Sequence, residues 1–221
     1  MNPIPVIAID GPASSGKGTI AVRVARFLGF HYLDSGALYR LVALVALREG
    51  LTIQEAGRLK TVAETLDARF EKGEIYLGQD RVTSAIRKEE VGRMASQVAT
   101  VPAVRTGLLA WQRGFRQLPG LVCDGRDMGS VVFPDALLKI YLTASREIRA
   151  KRRYNQLMEK EKGVKIEEVL ADLDERDARD VARAVAPLSQ ATDAVLLDTS
   201  DLSIDEVVQA VLRRYEKVKP R

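Results

Sequence analysis

Residues 4–19, IPVIAIDGPASSGKGT, leave few folds open to this chain. Residues 4–9 form a short apolar run rich in β-branched side chains and bounded by a turn signal, the pattern of a strand buried on both faces of a parallel sheet. Gly11, Pro12, Ala13, Ser14, Ser15 and Gly16 follow. Most of them are small enough for the backbone N–H groups to curl inward around an anion, and Gly16-Lys17 opens a helix whose N-terminal dipole favours negative charge. Lys17 adds a full positive charge. Gly11-x4-Gly16-Lys17 is therefore the phosphate cradle of a P-loop, with one departure: Gly18 stands where Ser or Thr usually follows the lysine, and Thr19 comes one place late. The spacing alone would arise by chance in about one chain in twenty of this length. Context gives it weight, because the match leaves a buried-strand pattern and enters Ile20, Val22, Val24, Ala25, Phe27 and Leu28, an apolar run ended by Gly29. A nucleoside triphosphate site is expected here.

At 221 residues, 46% hydrophobic and 29% charged, the chain is long enough for one large domain or one domain carrying an insertion. The single cysteine, Cys123, excludes an intramolecular disulfide and a cysteine-based zinc site, and the single histidine, His31, excludes histidine clusters. His31 reads as strand-end packing. No basic segment precedes a cleavable apolar run, and no stretch approaches about eighteen apolar residues, so a protein neither exported nor membrane-spanning is expected, in a reducing cytoplasm. The net charge is +4, with Arg and Lys scattered among nearly as many Asp and Glu, a solvated surface rather than a nucleic-acid-binding tail. No nucleic-acid or membrane partner is expected, and a monomer is the default. Arginines at 126, 152, 153, 176, 179 and 183 suit small phosphorylated ligands, for which the guanidinium is the better fork.

Further strand patterns lie at 30–33, 121–124, 137–142 and 194–197, alternating with helical stretches at 37–49, 89–100 and 104–118. The expected fold is α/β: a five-stranded parallel sheet with helices on both faces, joined by right-handed crossovers, with ligands at the carboxyl ends of the strands. Between the second and third strands lies more chain than one crossover needs. Residues 52–66 read as helix, and 68–87 as a small antiparallel β insertion, with short strands at 69–70, 74–77 and 81–86 separated by glycine turns. Val104, Leu108, Trp111 and Phe115 form one stripe, so Trp111 reads as core. Ser145 caps a helix running to about 162, and a second spans 166–184; their charged joint, 159–165, is expected to be mobile, making a helical lid. Ser203-x-x-Glu206 is a capping box for the last helix, whose Val207, Val208, Val211 and Leu212 pack on the sheet.

Asp34-Ser35-Gly36 ends the second strand on the same rim as the P-loop, with Arg40 just beyond, a place for a second anion. Asp124-Gly125-Arg126-Asp127 ends the third strand, where acids and an arginine beside glycine point to a ligand. Asp124 is a candidate for Mg²⁺, held through water, which would compensate for the missing Ser or Thr after Lys17. Arg176, Arg179, Asp180 and Arg183 share one helical face, leaving surplus positive charge for a phosphate in transfer, and Arg152 and Arg153 add to the same region. No nucleophile or general base stands out. Phosphoryl transfer needs neither, since it depends on aligning two phosphates and neutralising charge.

Taken together, GPASSGKGT, LDSGALYR, SQVA, DGRDMGSVVFPDA, ERDARD and RAVAPL resemble the bacterial cytidylate kinases, of the nucleoside monophosphate kinase group, over nearly the full chain. The Gly18 departure is usual in that group. The resemblance implies one P-loop kinase domain over 1–221, made of a core (about 1–50, 88–145 and 185–221), a monophosphate-binding insertion (about 51–87) and a lid (about 146–184). It implies transfer of the γ-phosphoryl of ATP to CMP or dCMP with Mg²⁺. Gly11 to Thr19 would hold the ATP phosphates, and Arg40, Arg126 and Arg176 would grip the acceptor phosphate. Ser35, Ser96, Arg105, Asp127 and Arg183 would surround the base, Asp180 would meet the sugar, and Arg152 and Arg153 would close over ATP. The alternatives are a P-loop kinase for another small acceptor such as UMP, and a P-loop nucleotide hydrolase, against which Gly18 argues.

Overall fold

The computed structural model describes residues 4–71, 73–159 and 163–219. In chain order its elements are β1 (Val6–Asp10), α1 (Lys17–Leu28), β2 (His31–Asp34), α2 (Ser35–Arg48), α3 (Ala56–Glu64), β3 (Ala68–Glu71), β4 (Glu74–Leu77), β5 (Asp80–Arg81), α4 (Glu89–Val98), α5 (Pro102–Gly114), β6 (Leu121–Gly125), β7 (Leu138–Thr143), α6 (Arg146–Met158), α7 (Ile166–Val181), β8 (Val195–Asp198) and α8 (Ile204–Val218). A π-helical turn, Met128–Val132, follows β6. The five expected parallel strands form one sheet in the order β2-β6-β1-β7-β8. All five residues of β1 are buried, because it is the central strand and pairs in parallel with β6 on one side and β7 on the other. Its two neighbours leave it in opposite directions, so its carboxyl end is a topological switch point, where such sheets open a crevice for ligands.

The chain divides into two compact units, Met1–Leu33 with Phe115–Arg221, and Asp34–Gly114. In the larger unit Ile20, Ala21 and Val24 of α1 and Val207, Val208, Val211 and Leu212 of α8 close over Ile7, Ile9, Val122, Ile140 and Leu142 of the sheet. The capping box of α8 is present: the Ser203 hydroxyl accepts from the Glu206 N–H, and the Glu206 carboxylate accepts from the Ser203 N–H at 2.8 Å. Ser145 caps α6 by accepting from Ile148 N. Helices α6 and α7 share a small core of Ala150, Val169 and Leu173, which also covers Ala13 of the P-loop. Helix α7 ends at Val181, short of the expected 184, because the Leu188 N–H takes the Asp180 carbonyl at 2.8 Å and turns the chain back. Of the joint at 159–165, residues 160–162 lie outside the described residues.

In the smaller unit α2 packs on α4 and α3 on α5. Gly107 lets α5 approach α3, since a Cβ there would stand 3.0 Å from that of Ala63. The β insertion is a three-stranded antiparallel sheet in the order β3-β4-β5. Its last strand is only Asp80–Arg81, not 81–86. Val82 and Ile86 are both buried and four residues apart, a helical spacing, and Ala85–Arg87 is a 3₁₀ turn in which Ile86 N–H bonds Val82 O. Helix α3 begins later than expected because Glu55 turns back to accept from Thr52 N–H at 2.9 Å. Helix α5 stops at Gly114 rather than 118, at a residue of low helix propensity. Trp111 is half-buried, not part of the buried core as expected, and packs against the equally half-buried Phe70 of the insertion, ring centres 6.0 Å apart.

Candidate active site

The P-loop runs from β1 into α1 through backbone that demands small residues. A Cβ on Gly11 would lie 2.0 Å from the Leu142 carbonyl oxygen, and Gly16, which precedes α1, takes φ +92°, a left-handed conformation that costs glycine nothing. Turning the N–H groups inward turns carbonyls outward, and each of three finds a cation: Lys17 Nζ on Pro12 O at 3.1 Å, Arg149 Nη1 on Ala13 O at 3.2 Å and Arg152 Nη1 on Ser15 O at 3.1 Å. The Ser15 hydroxyl is buried with no partner among the described residues.

Asp124, at the carboxyl end of β6, accepts from Tyr32 Oη at 2.7 Å. A Cβ on Gly18 would stand 3.8 Å from its Oδ1, so this carboxylate lies against the first turn of α1. Among the described residues no three acidic, His or Cys side chains cluster as a metal cage. Asp10 accepts from the Met128 and Gly129 N–H groups, both at 2.8 Å, and burial raises its carboxyl to about 6 despite those bonds. It ties the foot of the P-loop to the turn that follows Arg126 and Asp127.

Arg126, Arg176 and Arg183 gather around the buried carboxylate of Asp180. Arg126 Nε donates to Asp180 Oδ2 at 2.6 Å, and Arg183 donates to the other oxygen of the same carboxylate. Burial opposes ionisation of Asp180, yet Arg126 and Arg183 hold its carboxyl below the usual range. Arg176 makes no hydrogen bond or ion pair among the described residues, and burial, with Arg126 and Arg153 beside it, pushes it down to about 10. Lys17 feels the same field: burial and then Arg126 lower its ammonium to about 7, while Asp124 and Asp180 pull the other way. Such an excess of positive charge in a low-dielectric place is stabilised by an anion. Arg179 pairs with Glu175 on its own helix, and its charge also acts on Arg176.

Arg152 also bonds Thr199, Oγ1 at 3.0 Å and carbonyl at 2.7 Å, and lines a cavity of about 280 Å³ with Gly16, Thr19, Asn155, Leu202 and Val207. Arg153 is half-buried, with the Gln156 side chain at 3.5 Å. Asp127 is 3% exposed. In the smaller unit, Ser35, Ser96 and Arg105 are buried; Arg105 donates to Ala99 O at 3.2 Å and lies over the Tyr39 ring at 5.6 Å. Arg40 Nη1 donates to Ile86 O at 2.7 Å, and Gly92 leaves room for it, a Cβ there falling 3.0 Å from Nη2. Sequence reasoning missed Asp10, Arg149 and the lining of the cavity by Asn155, Thr199 and Leu202. Thr199 alone carried a signal, being the polar residue just past the carboxyl end of β8.

A family model for cytidylate kinase matches residues 7–217. A cytidylate kinase of Polynucleobacter asymbioticus is 54% identical over 216 residues, 98% of each chain, and one of Bordetella pertussis is 57% identical over 208 residues, 94% of this chain and 93% of its own. Among solved structures, a gluconokinase from Sinorhizobium meliloti aligns over 96% of this chain and 92% of that one with a TM-score of 0.51 at 14% identity, a likeness of fold alone.

Proposed function

This chain belongs to the cytidylate kinase family, and from there we propose how its residues transfer the γ-phosphoryl of ATP to CMP or dCMP, giving ADP and CDP or dCDP. The observation that supports the division of labour is Arg176, a half-buried guanidinium with no hydrogen bond or ion pair among the described residues, in the same field as Lys17 and Arg126. An anion carrying charge on several oxygens is the group that field suits. The inward N–H groups from Gly11 to Thr19, with the Ser15 hydroxyl, bind the ATP phosphates, and Lys17 neutralises the γ-phosphoryl as charge moves across it. Arg152 and Arg153 act at the ATP side, and the cavity beside Thr199 and Leu202, lined by both polar and apolar side chains, takes the adenine.

Arg126 and Arg176 grip the acceptor phosphate, fixing an oxygen of CMP in line with the bond that breaks. Asp127 and Arg183 serve the base, Asp180 the sugar, and in the smaller unit Arg40 serves the phosphate while Ser35, Ser96 and Arg105 serve the base. Cytosine presents a donor at N4 and acceptors at N3 and O2, so an acid with arginines and hydroxyls complements it. Uracil keeps the O2 acceptor but reverses N3 and position 4, and would leave buried groups unpaired there, at a cost of about 1–3 kcal/mol each. The metal we assign is Mg²⁺. Asp124, one carboxylate against the first turn of α1, fits an ion that keeps most of its waters and phosphate ligands and takes few from the protein. When bound, it supplies further charge neutralisation across the β- and γ-phosphates. We place the enzyme in the cytoplasm as a monomer with ATP and CMP or dCMP as its only partners; no helix among the described residues is long and apolar enough to cross a membrane.

The test is ADP formation with Mg-ATP and CMP, dCMP, UMP, AMP, GMP or dTMP at equal concentration, beside a blank without acceptor. Turnover confined mainly to CMP and dCMP is expected. Rapid ATP loss in the blank, or faster turnover with another acceptor, would overturn the base assignments.

A further inference from the structure

Arg149 has no place in the scheme above, yet it is 9% exposed and bonds three separate elements. Its Nε donates to Ala144 O at 3.2 Å, where β7 gives way to α6, and its Nη1 donates both to Ala13 O of the P-loop at 3.2 Å and to Asp177 Oδ2 of α7 at 2.5 Å. Asp177 spends only one oxygen this way; Oδ1 is buried and unbonded among the described residues. A carboxylate is kept there at the cost of an unsatisfied acceptor, so the bond to Arg149 is the one it is placed to make. Asp177 also follows Arg176 directly in the chain. One guanidinium thus holds the outward carbonyl at the crest of the P-loop and, through Asp177, the turn of α7 that carries Arg176.

A second bridge joins the same two helices. Arg146 and Asp174 pair through both carboxylate oxygens, on the surface, each side chain 48% exposed and neither touching the P-loop. If the role of Arg149 were only to staple α6 to α7, the two bridges would be equivalent. They differ in burial and in the bond to Ala13.

We propose that Arg149, anchored by Asp177, is a positioning residue that sets Arg176 relative to the P-loop crest during phosphoryl transfer. The inference rests on the kinase reading above, and turnover of the unaltered enzyme with CMP in the same assays reports on that reading separately. Lysine in place of Arg149 keeps the charge but loses the planar fork whose Nε and Nη1 reach separate partners, and asparagine in place of Asp177 keeps an acceptor but loses the charge. Displacements near 1 Å at a transfer site can cost about a hundredfold in rate.

The experiment measures kcat, KM for ATP and thermal midpoint for Arg149→Lys, Asp177→Asn, their double variant, and Asp174→Asn, all assayed well below each midpoint. The expected result is a loss of about ten- to a hundredfold in kcat for Arg149→Lys and Asp177→Asn, larger than any change in KM, with the double variant no slower than the worse single. Asp174→Asn should keep kcat within about twofold. If Arg149→Lys does not fold, the contrast between Asp177→Asn and Asp174→Asn decides alone. Equal effects at 174 and 177, losses confined to KM or to the midpoint, or additive losses in the double variant would each overturn the proposal.

Discussion

Lys17 titrates close to neutrality because burial and its neighbour Arg126 both disfavour the ammonium. A triphosphate reverses that balance by bringing negative charge to the same place, which raises the pKa. At pH 8 the free enzyme holds Lys17 mostly neutral, so ATP binding should draw in up to one proton; at pH 6 the lysine is already charged and its share vanishes. Titration calorimetry in buffers of different ionisation enthalpy reads this directly, with Lys17→Met subtracting the contribution of ATP itself. No difference in proton uptake between Lys17→Met and the unaltered chain at pH 8 would refute it. The P-loop and the Asp124 to Asp127 string were legible because their chemistry is written in adjacent residues. Asp10 was not: its partners, the Met128 and Gly129 N–H groups, lie 118 and 119 residues away. Arg149 is one of several arginines in α6, and only burial singles it out.

Elements announce themselves through their ends. Gly16 and Gly29 bracket α1, and Ser145 and Ser203 begin α6 and α8, all where sequence signals put them. The Ser203 cap predicts a separable effect: Ser203→Ala should remove about 1 kcal/mol of stability, seen as a lower denaturant midpoint, and leave kcat unchanged, because Ser203 itself is not in the lining of the cavity beside Thr199, although Val207 further along the same helix is. A change in kcat would show that the cap reaches the cavity through the turn that carries Val207. Helix ends without a capping signal were misjudged. The close of α7 depends on Leu188 returning to Asp180, and the short β5 on two buried residues at helical spacing, neither of which a local pattern displays.

For the molecule as a whole, parallel architecture followed from alternating strands and helices, but the strand order did not, since nothing local says that β6 and β7 flank β1. Binding at the P-loop should be felt globally. ATP at about a hundred times its Kd should add about 2.7 kcal/mol and raise the thermal midpoint by roughly 5–10 °C for a chain of this size, while a single-stranded RNA at the same concentration should raise it by nothing in 0.15 M salt. A larger shift with RNA would contradict the reading of the surface charge as dispersed. The central position of β1 also has a consequence in time. During synthesis β1 leaves the ribosome well before either strand it pairs with, Leu121–Gly125 or Leu138–Thr143. At about 5–20 residues per second it waits for several seconds to half a minute as an unpaired apolar segment, while the contiguous stretch Asp34–Gly114 already has its own contacts to make. The strand that carries the phosphate loop is thus among the last to find its place, and its interval of exposure is when a chaperone has most to do.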